Sequence, residues 1–280
     1  MKKTMLMLCA LCAAACAKET RIPSAQDFVA EEGREICFDI AYEDAFTVTK
    51  LTEINRDNLS EFNLLATTGS EGSESEQWSA TASKHFSTGQ YVSGKYWPAT
   101  NPSYHFYASN AAITFAAAGS TVSVDSSSDV VCACIYTPTF NTTNDITFSH
   151  ILARIGTVEI TSANSYDVTI NSINLMETKT SGTYNLRTKD WTNQSGAASA
   201  ALAEGTNDYL LLPGSYSLQV NYTLVKGDYS GTFTSSGTVA LNPGKTSNIK
   251  VTLSADPAVP VNFSVSVEAW EAKSVRLTLD

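Results

Sequence analysis

Histidine is nearly missing from this chain: only His85, His105 and His150 occur in 280 residues. Serine and threonine abound, but with so few histidines in unrelated contexts no Ser-His-Asp arrangement can be assembled. No Cys-x-x-Cys, no His-Glu-x-x-His and no phosphate-cradling glycine loop occurs. Catalysis is therefore the least favoured class, and no cofactor and no metal is expected. Basic residues are also short, 18 against 28 acidic ones, for a net charge of −10. A nucleic-acid binder would carry a basic face, so that partner is excluded. Long apolar runs are absent beyond residue 15, and a bilayer-spanning helix needs roughly 20 apolar residues. Helical periodicity is scarce as well. What the chain does have is 43% hydrophobic residues with 16% charged. That is enough apolar material for real cores, which excludes wholesale disorder, and the length suits one large or two ordinary domains.

Cysteine is rare and unevenly placed. Three of the six, Cys9, Cys12 and Cys16, crowd into LMLCALCAAAC. Lys2 and Lys3 precede a short apolar run and small residues follow it, the pattern of a secretory signal peptide over 1–15. A metal cluster would need His or acidic ligands nearby, and this stretch offers none. Ala13, Ala14 and Ala15 stand before Cys16, which resembles a lipobox; bulky Leu11 and Leu8 precede Cys12 and Cys9. Cys16 is thus the expected lipid acceptor, although the lipobox prefers Leu where Ala13 sits. The other reading is an ordinary signal peptide with Cys16 incidental. Losing Lys2 and Lys3 with the leader takes the net charge from −10 to −12. Of the remaining cysteines, Cys132 and Cys134 are two apart, about 6.6 Å by strand rise. That is near the limit for a bridge, so free buried thiols are expected, with pairing of either to Cys37 as the alternative.

Val, Ile, Thr, Tyr and Phe recur in short alternating runs broken by Gly, Pro, Asn, Asp and Ser, which predicts an all-β protein. EICFDIAY (35–42) alternates Ile36, Phe38 and Ile40 against polar neighbours, and EFNLLATTG (61–69) follows. GSEGSESEQWSATASK (69–84) reads as a polar loop. KYWP, YHFYASN, TVSVD and VVCACIY complete the first half. PTFNTTND (138–145) is the expected boundary. ITFSHILARIGTVEI (146–160), apolar on both faces, predicts one central strand, and GAASAALAEG (196–205) a loop or short helix. Further alternating runs continue to VNFSVSVEAW (261–270). Strands at this spacing on both sides of 145 predict two β-sandwiches in tandem, 35–145 and 146–280, after a linker over 16–34. His150 is in phase with Phe148 and Leu152 and is expected to be a core residue bonded to a carbonyl. Trp97 and Trp270 are expected to pack in the core, as are Trp78 and Trp191, though tryptophans can also serve as sugar platforms.

Several blocks, in this order, resemble the fimbrillin-like subunits of Bacteroidales type V pili. ICFDIAYEDAFTVTKLTEINRDNLSEFNLLA fits the family's opening pattern. KYWPATNPSYHFYASN resembles its "WP … FYAY" block, and DVVCACIYTP sits at its "D-L-L-x-A" strand. ITFSHILARI resembles "x-F-x-H-x-L-A-K-I" with Arg154 in place of Lys. YLLLPGSYSLQVNYTL and VNFSVSVEAW resemble the closing blocks, with Gly214 where Gln is usual. The resemblance implies two transthyretin-like Greek-key sandwiches and export as a lipoprotein to the outer membrane. It also implies a pilus built by strand exchange with other subunits, in which a protease removes the first strand and a neighbour's strand fills the groove. By position the removed strand is EICFDIAY, with Ile36, Phe38 and Ile40 facing inward or, in the opposite register, Cys37. The family's clip site is an arginine; Lys50 stands at that position here, and Arg56 is the nearest arginine downstream. The expected role is a structural and adhesive surface subunit, with a receptor on a host or bacterial surface as a further partner. The competing role is a glycan-binding surface lipoprotein of a polysaccharide-uptake system, which would need exposed aromatics in a row.

Overall fold

The computed structural model describes residues 35–42, 54, 58–70, 72–100, 102–137, 143–162, 167–253 and the strand 262–269. No helix occurs among them. In the first half the strands are β1 (Glu35–Tyr42), β2 (Glu61–Thr68), β3 (Ser75–Lys84), β4 (Tyr91–Tyr96), β5 (Tyr104–Ser109), β6 (Ile113–Thr114), β7 (Thr121–Asp125), β8 (Val131–Thr137) and β9 (Asn144–His150). The second half adds β10 (Ala153–Ser162), β11 (Asp167–Asn185), β12 (Trp191–Leu202), β13 (Gly205–Leu211), β14 (Gly214–Lys226), β15 (Tyr229–Leu241), β16 (Lys245–Leu253) and β17 (Asn262–Ala269).

The expected all-β class holds, and its physical basis is period-2 patterning. In β14, Tyr216, Leu218, Val220, Tyr222 and Leu224 are buried while Ser217, Gln219, Asn221 and Thr223 lie on the other face. A two-residue turn with Gly227 at φ +58° joins it to β15. In the first half the hydrogen-bonded path β1-β4-β3-β2-β5-β8-β9 closes on itself. It encloses a core that includes Phe38, Phe62, Trp97, Phe106 and Phe148. In the second half a four-stranded sheet, β13-β10-β16-β17, and a sheet of β15, β14, β11, β7 and β6 with β12 alongside enclose a separate core.

A third core joins the halves: Leu65 and Tyr107 from the outer face of the ring meet Val122, Val124, Leu186, Leu210 and Leu212. The β6–β7 hairpin lies early in the chain, yet β7 pairs with β11 in the second half's sheet. The stretch 146–160 is two strands rather than one. β9 pairs with β1 and β8, the chain then crosses at Ile151 and Leu152, and β10 starts the second half. Its apolarity on both faces has a plain cause. Ile146 and Phe148 serve the ring, Ile151 and Leu152 the junction, and Ala153, Ile155 and Val158 the second core.

Two further expectations are corrected. The polar stretch 69–84 is a loop only to residue 74, because Ala82 is buried and Trp78 packs on the core, which draws 75–84 into a strand. GAASAALAEG is neither loop nor helix: residues up to 202 form β12, an edge strand whose small side chains are mostly exposed. Small residues hid the period-2 signal there.

Candidate functional site

β1 closes the ring. It pairs antiparallel with β4 on one side, through only three partners and with a bulge between Glu35 and Cys37. On the other side it pairs parallel with β9, from Phe38 opposite Asn144 to Tyr42 opposite Phe148. Ile36, Phe38 and Ile40 face inward and are buried, and Cys37 lies outward and half-buried. Phe38 meets Phe106 and Phe62 edge-on, with ring centroids 5.2 and 6.1 Å away. Three side-chain bonds fix the strand: Ser93 Oγ donates to Ile36 O at 2.8 Å, Asn144 Nδ2 to Cys37 O at 3.1 Å, and Gly94 N to Glu35 Oε1 at 3.0 Å.

The connection from β1 to β2 carries the two clip candidates, Lys50 and Arg56, and both lie outside the described residues, as do Cys16 and Trp270. Ile54, between the two, is described. It packs against the ring core, and its N–H donates to Asp129 Oδ2 at 3.0 Å. Asp129 is buried and also holds His150, whose Nδ1 lies 2.9–3.0 Å from the carboxylate. His150 is thus buried in the core, and the Asp129 carboxylate is the partner of its Nδ1. Asp129 escaped the sequence reading because SSSD looks like a solvated turn. Breaking a buried, hydrogen-bonded pair leaves its partner's charge uncompensated. His150→Ala is expected to lower stability in urea unfolding by about 3 kcal/mol. A change under about 0.5 kcal/mol would mean that the pair does not hold the fold.

A second polar hub sits at the junction of the halves. Glu74, in the loop before β3, is buried. Its Oε2 accepts from Thr67 Oγ1 at 2.9 Å and from Tyr107 OH at 2.8 Å. Its Oε1 pairs with Arg187 Nη2 and lies 3.5 Å from His105 Nε2. Arg187 comes from the turn between β11 and β12, and its guanidinium also lies over the Tyr107 ring, 5.6 Å from the centroid. Nothing in the sequence singled out Glu74, one of three glutamates in a Ser/Glu-rich stretch.

Cys37, Cys132 and Cys134 form no disulfide with one another. Cys132 is buried in the junction core, and burial pushes its thiol up to about 12, which leaves it a small apolar side chain rather than a nucleophile or ligand. Cys134 is exposed, against the expectation of burial, because β8 turns its 132–134–136 face outward and only its Cys132 end is covered. Among the described residues no group of His, Cys, Asp and Glu could hold a metal ion. Trp97 is buried against Tyr104 and Phe106, Trp78 packs on the same two rings, and Trp191 packs on Tyr184. Among the described residues the large exposed aromatics, Phe86, Tyr96, Tyr136 and Tyr229, lie on four separate segments.

The C-terminal stretch VNFSVSV, one of two alternating segments near the end of the chain, is already used within the protein: β17 pairs with β16 from Lys245 opposite Ala269 to Thr252 opposite Asn262. The other, SVRLTLD, lies outside the described residues.

Two solved structures share this architecture. A candidate cell adhesion protein from Parabacteroides distasonis ATCC 8503 superposes with a TM-score of 0.58 at 11% identity, over 86% of this chain and 98% of that one. A candidate cell adhesion protein from Bacteroides ovatus ATCC 8483 gives 0.52 at 12% identity, over 87% and 99%. At such identities the likeness speaks for the fold alone. No curated protein matches the chain. The sequence profile of the fimbrillin-like family matches residues 46–270, from just after β1 to just after β17. The match takes in both halves and the junction between them, and the chain belongs to the fimbrillin-like family.

Proposed function

We propose that the protein is a structural and adhesive subunit of a surface pilus, exported as a lipoprotein on Cys16 and assembled by strand exchange after loss of β1. The observation that carries this reading is the position of β1. It is the one strand bonded to both β4 and β9, so its removal would leave two open strand edges flanking a groove lined by the partners of Ile36, Phe38 and Ile40. Backbone ladders on both sides and pockets for alternate side chains are what β-augmentation requires. The family match beginning at residue 46 fits a mature subunit that starts after this strand. Of the two clip candidates, a cut at Lys50 would leave Ile54 bonded to Asp129 on the body of the subunit, whereas a cut at Arg56 would take that anchor away. Because β17 is spent on β16, the donor in this scheme is residues 271–280.

The assembly test places a specific protease site within 45–57, cuts, and mixes the subunits. Ladders that resist mild denaturant and vanish on deletion of 271–280 are expected. A cut protein that stays monomeric and folded with its 35–42 fragment bound overturns strand exchange. The anchor has its own test. Cys16→Ala is expected to abolish fatty-acid labelling and to move the protein to the soluble periplasmic fraction; undiminished labelling rules Cys16 out.

A further inference from the structure

β15 is an edge strand of the second half's larger sheet, bonded to β14 alone among the described strands. Natural edges are blunted by shortness, charge, proline, bulges or closure, because an open ladder of N–H and C=O groups recruits other strands. The described edges of this protein use those devices, with one exception. The first ring is closed, and where its ladders are short the strands are charged or brief: β3 pairs with β4 only at Ser83 and Lys84 but carries Glu76, and β8, which pairs with β9 only at Val131 and Cys132, ends at Thr137. β6 is two residues long. β13 carries Asp208 and a register shift opposite Ile155–Thr157, and β17 carries Glu268. β12 has no charge, but its ladder shifts register twice and bends at Asn193, φ +51°. β15 has none of these. YSGTFTSSGTVAL is 13 residues long, holds no charged residue and no proline, and pairs with β14 in unbroken register from Tyr229 to Leu241.

The hairpin fixes which groups are open. Its two-residue turn closes at Lys226 opposite Tyr229, which makes that pair hydrogen-bonded. Odd-numbered residues of β15 therefore bond to β14, and residues 230, 232, 234, 236, 238 and 240 turn their N–H and C=O groups to the free side.

We infer that a second copy of this chain covers this edge, with β15 pairing antiparallel to itself across a twofold axis. Such an interface sets the same strand against itself, so a charge near its centre would meet its like. In a chain of net charge −10, β15 is free of charge over its whole length. A register centred on Ser235 overlaps the strands fully. It sets Thr232 opposite Thr238 and Thr234 opposite Ser236, hydroxyl pairs of the kind that stabilise cross-strand neighbours. Six residues from each copy then contribute both backbone groups, about twelve hydrogen bonds in all. An edge contact buries little area, so the dimer is weak and becomes populated at high local concentration, as along or between filaments. The contact does not rest on strand exchange, since it needs no cut and leaves β1 in place.

The test uses the purified, intact, uncut chain. Sedimentation equilibrium is expected to show a concentration-dependent dimer. Amide exchange is expected to slow at residues 230–240 of even number as concentration rises, the odd ones being protected already. Thr234→Pro removes one free-side N–H and leaves the backbone ladder to β14 in place, though it gives up the bond from Thr234 Oγ1 to Asn221 Oδ1, and Ser236→Lys places a charge diagonally across the axis from its copy. Each is expected to weaken dimerisation at least tenfold, the lysine variant with the melting temperature held, and the lysine variant decides the matter if the proline variant misfolds. A wild-type chain that stays monomeric to about 0.5 mM overturns the inference. So does a dimer that both variants leave undiminished, or new protection that appears on another strand.

Discussion

Arg187→Ala is expected to cost about 3–5 kcal/mol of stability, because it strands the Glu74 carboxylate in the junction between the halves. The arithmetic favours a large effect over a small one. An exposed ion pair contributes under about 1 kcal/mol, but the Glu74 side chain is fully buried and that of Arg187 is 10% exposed. The two hydroxyls that donate to Oε2 soften the loss without supplying a positive charge. His105 stands at 3.5 Å and would have to take a proton to replace the guanidinium. Glu74→Gln in the same background removes the stranded charge and keeps acceptors for Thr67 and Tyr107. The double variant is therefore expected to recover at least about 2 kcal/mol relative to the sum of the single changes. Urea unfolding of the four proteins measures this, and strict additivity would show that the hub does not couple the halves. Since Thr67, Glu74 and Tyr107 belong to the ring and Arg187 to the second half, the same experiment reports how firmly the halves are joined.

How much of this was legible beforehand differs by element. β1 could be read in its extent, and of its two possible registers the structure has the one in which Ile36, Phe38 and Ile40 point inward. β14 was equally plain, with five apolar residues in phase. Segments that serve two cores were not. The run 146–160 reads as one strand because its apolar residues are continuous, and only pairing shows the crossover at Ile151 and Leu152. β12 was lost to alanine, serine and glycine, whose patterning carries no hydrophobic signal. The polar hubs were the least visible. His150 could be placed in the core by its phase, but Asp129 lies 21 residues away, Glu74 and Arg187 are 113 positions apart, and no local pattern pairs residues across such gaps.

Phe38→Ala is expected to cost the intact chain about 3–5 kcal/mol and to do more once the connection after β1 is cut. Burying Ile36, Phe38 and Ile40 contributes roughly 5–8 kcal/mol by area. Ordering eight residues costs about 1–2 kcal/mol each. The apolar face alone therefore cannot hold β1; its ladders to β4 and β9 and the bonds from Ser93 and Asn144 must supply the rest. In the intact chain the connection to β2 keeps the strand at high effective concentration, and the balance favours the ring. Cutting removes that advantage, and the strand is then held by a margin that one side chain can reverse. Phe38 is the side chain to change because it fills the space between Phe62 and Phe106, whereas Cys37→Ala on the outer face is expected to change stability by less than about 0.5 kcal/mol. After cutting within 45–57, the Phe38→Ala protein is expected to release its 35–42 fragment at least tenfold faster than the wild type, followed by mass spectrometry of the retained species. Equal retention in both would mean that β1 is held by its backbone alone, and that its departure is not controlled by the apolar face it shows to the ring.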